Sequence, residues 1–117
     1  IINSSGADMV ISIHQNSYVT PKAEGAQVFY YKKSEESKRI AQIMQGILGE
    51  KLGTTRQIKS DVNYYILLHS KLPTIISECG FLSNPEEEQR LCTEEYQEKV
   101  ADALYCGIIE YLMMNMK

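Results

Sequence analysis

The chain has 117 residues, of which 44% are hydrophobic and 23% are charged, and its formal net charge at pH 7 is −3. This size and composition predict one globular domain, and the acidic balance argues against a nucleic-acid partner, which would need a basic patch. The most apolar stretches, residues 9–13 and 72–82, are shorter than the roughly 18 residues of a membrane-spanning helix, so no membrane span is expected.

The first part of the chain predicts the end of a helix followed by two strands. Residues Ile1–Gly6 read as a last helical turn closed by glycine, and because no methionine precedes them we expect the chain to begin inside a domain. The apolar run Ala7–Asn16 predicts a strand, whose first strongly polar side chain past the middle is His14. A polar loop, 17–25, leads to a second strand at 26–31, which is rich in β-branched and aromatic residues.

The middle of the chain predicts one long helix and a third strand. Ser34 is a suitable N-cap, and apolar residues then recur at intervals of three and four until Gly53. Residues 54–61 are polar and predict a loop, and the sequence at 62–68 predicts a strand. His69 follows in a turn-like stretch, where a solvated loop histidine is a simpler interpretation than a substrate contact.

Glu78 is the most informative residue of the sequence because it interrupts the apolar run Leu72–Leu82. Such a run, opened by proline and closed by glycine, is typical of a strand buried on both faces of a parallel sheet. An ionised carboxylate without a partner would strongly destabilise that strand. A salt bridge to Lys71 or Arg56 would be a structural explanation, and a functional site is the alternative.

Two further helices complete the predicted fold. Asn84 begins a short helix with a capping-box-like sequence, and Thr93 caps the last helix. The alternation of strands and helices predicts an α/β fold with three layers, an α/β/α sandwich. Ligands of open α/β sheets bind beyond the carboxyl ends of the strands, so we expect His14 and Glu78 to face one cleft. An imidazole and a carboxylate in one cleft indicate a metal-assisted hydrolase.

The three cysteines, Cys79, Cys92 and Cys106, are an odd number without paired spacing. They indicate neither a disulfide framework nor a cysteine zinc site, and we interpret them as buried or free thiols. A rival hypothesis makes Cys79 a nucleophile that His14 activates, as in cysteine hydrolases. Side-chain alternation argues against it, because Cys79 points away from the cleft if Glu78 points into it.

Two motifs give the chain a resemblance to a known family. The segments Ser12–Asn16 and Pro73–Asn84, with the strand at 25–31 and the segment Tyr65–Leu67 between them, are similar to zinc-dependent N-acetylmuramoyl-L-alanine amidases of the cell-wall and spore-cortex type. The histidine-x-asparagine element and the glutamate-x-glycine-phenylalanine-x-serine-asparagine element are together a specific signal. The resemblance follows the family's order over nearly the whole chain.

The resemblance implies a phosphorylase/hydrolase-like fold and cleavage of the amide between N-acetylmuramic acid and L-alanine of the stem peptide. It implies that His14 is a zinc ligand, that Glu78 is the catalytic general base and that Asn16 contacts substrate. The family's other ligands, a histidine and a glutamate, have no counterpart here and are expected upstream of Ile1. We therefore interpret residues 1–117 as the C-terminal part of a catalytic domain that lacks its N-terminal strands and is inactive alone.

The same resemblance implies peptidoglycan as the partner, one zinc ion as the cofactor and an extracytoplasmic location at the cell wall or spore envelope, reached through a segment outside this chain. A sheet that lacks strands would expose an edge, and such an edge favours self-association. An alternative of a different class is a non-catalytic peptidoglycan-binding or scaffold remnant, because two of the expected ligands are absent from this chain.

Overall fold

A mixed four-stranded sheet with helices on both faces forms the centre of the structure, which is a computed structural model. It describes residues 1–16, 20–60 and 64–115, apart from the side chain of Asn16. Within these ranges the elements are a 3₁₀ helix (Ile2–Ser4), β1 (Val10–Asn16), β2 (Gln27–Tyr30), α1 (Glu35–Leu52), β3 (Lys59–Ser60), α2 (Tyr65–His69), β4 (Thr74–Phe81), α3 (Pro85–Leu91) and α4 (Glu94–Asn115). The predicted α/β class is confirmed.

The strands lie in the order β1-β4-β2-β3. Strand β1 is parallel to β4, whereas β2 is antiparallel to β4 and parallel to β3. All eight residues of β4 are buried, so the predicted burial of the Glu78 strand on both faces is confirmed. The prediction of a parallel sheet around it is wrong on one side, because the polar loop after β1 returns the chain as an antiparallel neighbour.

Helices α1 and α4 pack together on one face of the sheet and enclose the main hydrophobic core. The predicted cap of α1 is confirmed, since the Ser34 side chain accepts a hydrogen bond from the Ser37 amide at 3.2 Å. Gly107 lets α4 approach α1 closely, because a Cβ there would lie 2.5 Å from the Sδ of Met44. The buried members of this core are Ala26, Val28, Ile40, Ala41, Met44, Ile47, Leu48, Ile75, Cys79, Leu91, Val100, Ala103, Leu104 and Tyr111.

The opposite face of the sheet carries the short helix α2. Leu67 of α2 packs with Phe29 of β2 and Ile76 of β4 in a second, smaller cluster. The prediction of a third strand at 62–68 is therefore wrong from Tyr64 onward, and residues 62 and 63 lie outside the described part of the chain. Aromatic and β-branched residues favour a strand only weakly, and packing of one helical turn on the sheet outweighs that preference.

The remaining elements differ little from the predictions. A single 3₁₀ turn stands where the last turn of a helix was expected, and the short strand β3 lies within a segment predicted as loop. Asn84 caps α3 through bonds from two backbone amides, and Thr93 accepts a bond from the amide of Tyr96 at 3.2 Å, so both predicted caps are confirmed. Among the described helices, none is long and apolar enough to cross a membrane.

Candidate active site

His14, Glu78 and Gln27 form a row across three adjacent strands. In the register of the sheet, His14 of β1 pairs with Glu78 of β4, and Glu78 pairs with Gln27 of β2. Residues that pair in this way point to the same face of a sheet. The structure therefore brings together the two residues that the sequence predicted to share a cleft.

Glu78 is a buried carboxylate with one satisfied oxygen. Its side chain is only 3% exposed, and its Oε1 accepts a hydrogen bond from the Tyr64 hydroxyl at 3.1 Å. Its Oε2 has no hydrogen-bond partner among the described residues. Burial raises the pKa of Glu78 above its ordinary value, and this effect exceeds the opposing effects of the Tyr64 hydrogen bond and of the nearby His14.

The structural explanation of Glu78 by a salt bridge is not supported. None of the ion pairs among the described residues includes Glu78. Arg56 instead donates from Nη1 to the side-chain oxygen of Gln27 at 3.0 Å and from Nε to the carbonyl of Glu24 at 2.6 Å. The main-chain amide of Lys71 donates to Asn3.

His14 lies at the exposed edge of this row. Its Nε2 is 2.6 Å from the Oγ of Ser12, which points to the same face because it is two residues away on the strand. The His14 and Tyr64 rings meet edge to face, with their centroids 6.4 Å apart. The imidazole is thus accessible from outside while two neighbours orient it.

Tyr64 and Gln27 belong to this site but were not predicted as site residues. Tyr64 precedes α2 and contacts both His14 and Glu78. Gln27 is 9% exposed and donates from Nε2 to the carbonyl of Gln57 at 2.8 Å. The signal for Gln27 was available in the sequence, since an amide side chain inside an apolar strand needs partners when it is buried.

Glu87 joins two chain segments beside the site, the one that leads into β2 and the end of β4. Both of its carboxylate oxygens accept from the amide of Gly25, at 3.1 and 3.0 Å, and one also accepts from the amide of Phe81 at 2.9 Å. Gly25 has a φ of +100°, and a Cβ there would lie 2.7 Å from the Oγ1 of Thr54. One buried carboxylate therefore joins the start of β2 to the end of β4, the two strands that carry Gln27 and Glu78.

Cys79 lies on the other face of β4, in the core formed with α1 and α4, as side-chain alternation predicted. Burial raises the pKa of its thiol to about 11, so the thiolate is scarce at neutral pH. This environment argues against the hypothesis of a cysteine nucleophile. Cys92 is exposed and Cys106 is half-buried, and both are free thiols as predicted.

His14 and Glu78 have side chains of the types that bind zinc, but they are too few to hold a zinc ion by themselves. An imidazole nitrogen and a carboxylate oxygen are zinc ligands, and the unpartnered Oε2 of Glu78 is an atom that a bound group could satisfy. The described residues contain no group of three histidine, cysteine or acidic side chains that could hold a metal ion. Asn16 is the last residue of β1, and its side chain lies outside the described part of the structure.

Comparison with known proteins gives one consistent result. The sequence model of a family described as N-acetylmuramoyl-L-alanine amidase matches residues 1–110. The germination-specific N-acetylmuramoyl-L-alanine amidase of Bacillus subtilis (strain 168) is 41% identical over 112 residues, which are 95% of this chain and 47% of that protein.

Two solved structures extend the likeness to the fold. The CwlD amidase of Clostridioides difficile, solved in complex with the GerS lipoprotein, superposes with a TM-score of 0.92 at 39% identity and covers 97% of this chain and 58% of that one. The catalytic domain of the amidase CwlV from Bacillus (Paenibacillus) polymyxa var. colistinus superposes with a TM-score of 0.83 at 33% identity. The match covers 91% of this chain and 58% of that one. This chain thus spans about half the length of these relatives. It belongs to the N-acetylmuramoyl-L-alanine amidase family.

Proposed function

From this family membership, we infer that the chain carries part of the active site of a peptidoglycan hydrolase. The reaction is hydrolysis of the amide between N-acetylmuramic acid and L-alanine of the stem peptide. The observation that carries this proposal is the state of Glu78, a buried carboxylate with an unpartnered oxygen beside an accessible imidazole. Perturbed carboxylates of this kind are concentrated at catalytic sites.

Glu78 is the proposed general base. Its raised pKa makes it a stronger base than an exposed carboxylate, and Tyr64 holds the side chain in one orientation. Glu78 takes a proton from the water that attacks the amide carbonyl. It returns that proton to the nitrogen of L-alanine as the carbon–nitrogen bond breaks, which leaves a lactyl carboxylic acid and a free amine.

His14 is the proposed metal ligand of this chain, and Asn16 is proposed to contact substrate. The imidazole of His14 is exposed and oriented, as a ligand must be, and further donors have to come from outside the described residues. Zinc would supply Lewis-acid chemistry there, polarising the amide carbonyl and lowering the pKa of water. The chain's own contribution is to orient the ligand and to hold the base on the neighbouring strand.

We also propose that the protein acts outside the cytoplasmic membrane, at the cell wall or spore envelope, and the named relatives support this location. The germination-specific relative suggests a role in spores. The complex of CwlD with the GerS lipoprotein suggests an accessory lipoprotein as a partner for this protein also.

The test compares Glu78→Gln with Glu98→Gln, an exposed carboxylate on α4, in the full-length gene product. New L-alanine amino termini released from purified peptidoglycan are counted, and bound zinc is measured by elemental analysis. We expect kcat to fall by about a hundredfold or more in Glu78→Gln, as for loss of a general base, with zinc content unchanged. Glu98→Gln should match wild type.

Two outcomes would contradict the proposal. If Glu78→Gln stays within about tenfold of wild type, Glu78 is not the base. If the wild-type gene product binds peptidoglycan but holds no zinc and releases no amino termini, the non-catalytic binding alternative is correct.

A further inference from the structure

Arg56 is connected to the candidate site through Gln27. Its Nη1 donates to the side-chain oxygen of Gln27 at 3.0 Å, and Gln27 pairs with Glu78 in the register of β2 and β4. The Cβ atoms of two residues that pair in this way are about 5 Å apart. One side chain therefore separates the guanidinium of Arg56 from the proposed general base.

A bulge in β4 brings a second contact of Arg56 to the same face of the sheet. The pairing of β1 with β4 shifts after Glu78, so that an advance of two residues along β1 matches an advance of three along β4. Side chains alternate along a strand, and the extra residue reverses that alternation, so Phe81 lies on the face of Glu78. The Cζ of Arg56 is 4.7 Å from the centroid of the Phe81 ring. Two independent contacts thus place the guanidinium at the carboxyl end of β4.

The guanidinium is fixed in position but retains free donors. Its Nε donates to the carbonyl of Glu24 at 2.6 Å, and the Phe81 ring covers one of its faces. The N–H groups of Nη2 have no hydrogen-bond partner among the described residues, and Arg56 is only half-buried. A planar cation that is held in this way loses little conformational freedom when it binds a ligand.

The charge of Arg56 is not balanced by a carboxylate of the described chain. None of the ion pairs among the described residues includes Arg56, and its contact with Glu24 is to the main-chain carbonyl. Guanidinium N–H groups match the oxygens of a carboxylate in both geometry and charge. These observations favour a ligand that carries a carboxylate.

The position of Arg56 indicates which carboxylate of a stem peptide it would meet. The first free carboxylate beyond the amide to be cleaved belongs to the γ-linked glutamate that follows L-alanine. It is about two residue lengths, roughly 7 Å, from the nitrogen of L-alanine. One inter-strand spacing of about 4.8 Å followed by the 3.0 Å hydrogen bond from Gln27 to Arg56 is a distance of the same order.

We propose that Arg56 binds the α-carboxylate of the glutamate that follows L-alanine, while the amide to be cleaved lies at Glu78. The proposal rests on the proposed function, because the family supplies the peptide, whereas the free N–H groups of the guanidinium specify its charged group. Arg56 is thus a substrate-binding residue that selects acidic stem peptides over amidated ones. Gln27 and Phe81 are positioning residues, since they hold the guanidinium.

The test measures binding of three tripeptides to the full-length gene product by calorimetry. All three are L-alanyl-γ-D-glutamyl-L-lysine: the first has only the glutamate α-carboxylate free, the second only the C-terminal carboxylate, and in the third both are amides. We expect the first to bind about fivefold more tightly than the third, as for one charge-assisted contact that is partly exposed. The second should bind no better than the third. Added salt should reduce the preference for the first tripeptide.

Matched variants and one wild-type measurement assign this preference to Arg56. Arg56→Gln should remove the preference for the first tripeptide and leave the affinity for the third within about twofold. Arg39→Gln removes an exposed arginine from α1 and should keep the full preference. In the wild-type protein, the first tripeptide should shift the Nε–H NMR signal of Arg56 and the third should not, a result that does not depend on the folding of a variant.

The proposal is wrong if the three tripeptides bind equally, if none of them binds, if the second is preferred, or if Arg56→Gln weakens all three alike. The tripeptides contain no muramic acid, so their binding requires neither bond cleavage nor Glu78 as a base. Release of amino termini from peptidoglycan together with equal binding of the tripeptides would refute the carboxylate contact alone. Preferred binding of the first tripeptide through Arg56 without such release would refute the catalytic function alone.

Discussion

Tyr64 donates its phenolic hydrogen bond to the Oε1 of Glu78 across 3.1 Å, and the second oxygen of that carboxylate has no partner among the described residues. The bond links α2 to β4 and gives the buried carboxylate a single polar attachment within the described residues. It stabilises the ionised form of Glu78, while burial acts in the opposite direction and dominates. The balance between these two effects determines the basicity of the proposed catalytic residue.

Tyr64→Phe should raise the pKa of Glu78 further. The substitution keeps the ring and removes the hydrogen bond that lowers the pKa, so desolvation is left less opposed. Carbon-detected NMR titration of carboxylate-labelled protein would measure the change. Tyr65→Phe is the control, because Tyr65 stacks on His69. An unchanged or lower pKa in Tyr64→Phe would show that this hydrogen bond does not act on Glu78.

Glu78→Gln should stabilise the folded chain at neutral pH. The pKa of Glu78 is higher in the folded chain than in the unfolded chain, where it is near 4.5. Its contribution to stability is therefore complete below the unfolded pKa, and it is lost as the pH rises through the higher folded pKa. Glutamine never ionises, so the variant should be more stable than wild type at pH 7. Near pH 4 the difference should vanish. Urea unfolding at the two pH values measures it, and a less stable variant at pH 7 would contradict the prediction.

The 117-residue chain should bind zinc weakly. Its described residues supply one imidazole and one carboxylate at the candidate site, whereas catalytic zinc needs about three protein ligands. Dialysis against micromolar zinc with elemental analysis should therefore give less than one ion per chain. His14→Ala should weaken the remaining affinity by about tenfold, and His69→Ala should leave it unchanged. Stoichiometric zinc that survives His14→Ala would refute the ligand assignment.

Glu87→Ala should destabilise the chain far more than Glu88→Ala. Glu87 is 7% exposed and accepts hydrogen bonds from the amides of Gly25 and Phe81, which its removal would leave unpaired. The expected loss is about 2 to 4 kcal/mol in the free energy of unfolding, as for buried bonds to a charged acceptor. Glu88 is exposed on the same helix and should change stability by less than about 0.5 kcal/mol. Similar losses in both variants would mean that Glu87 does not hold the two strands together.

The sequence predicted the strands that carry His14 and Glu78 because each is a local apolar run with one polar interruption. It also predicted the caps at Ser34, Asn84 and Thr93, since capping depends on side chains within one helical turn. Each of these features depends only on residues that are close together in the sequence. They can be derived without knowledge of the tertiary contacts.

The features that the sequence did not predict depend on contacts between distant segments. A short apolar run such as residues 65–68 suits a strand or a helix, and packing on Phe29 and Ile76 decides between them. The antiparallel position of β2 depends on which strand pairs with β4. The partner of Arg56 could not be read from charge alone, because it is the uncharged Gln27.

Because β1 lies at the edge of the sheet, the backbone around His14 should be less protected from hydrogen exchange than the backbone around Glu78. Among the described strands β1 is paired only with β4, whereas β4 has a neighbour on each side. An edge strand can detach in a local opening that leaves the helical core intact, so backbone amides around His14 should exchange hydrogen faster than those around Glu78. The paired strands also come from opposite halves of the chain, so a large loop must close before they meet. The site is therefore expected to form late in folding and to be lost first, before the fold that supports it.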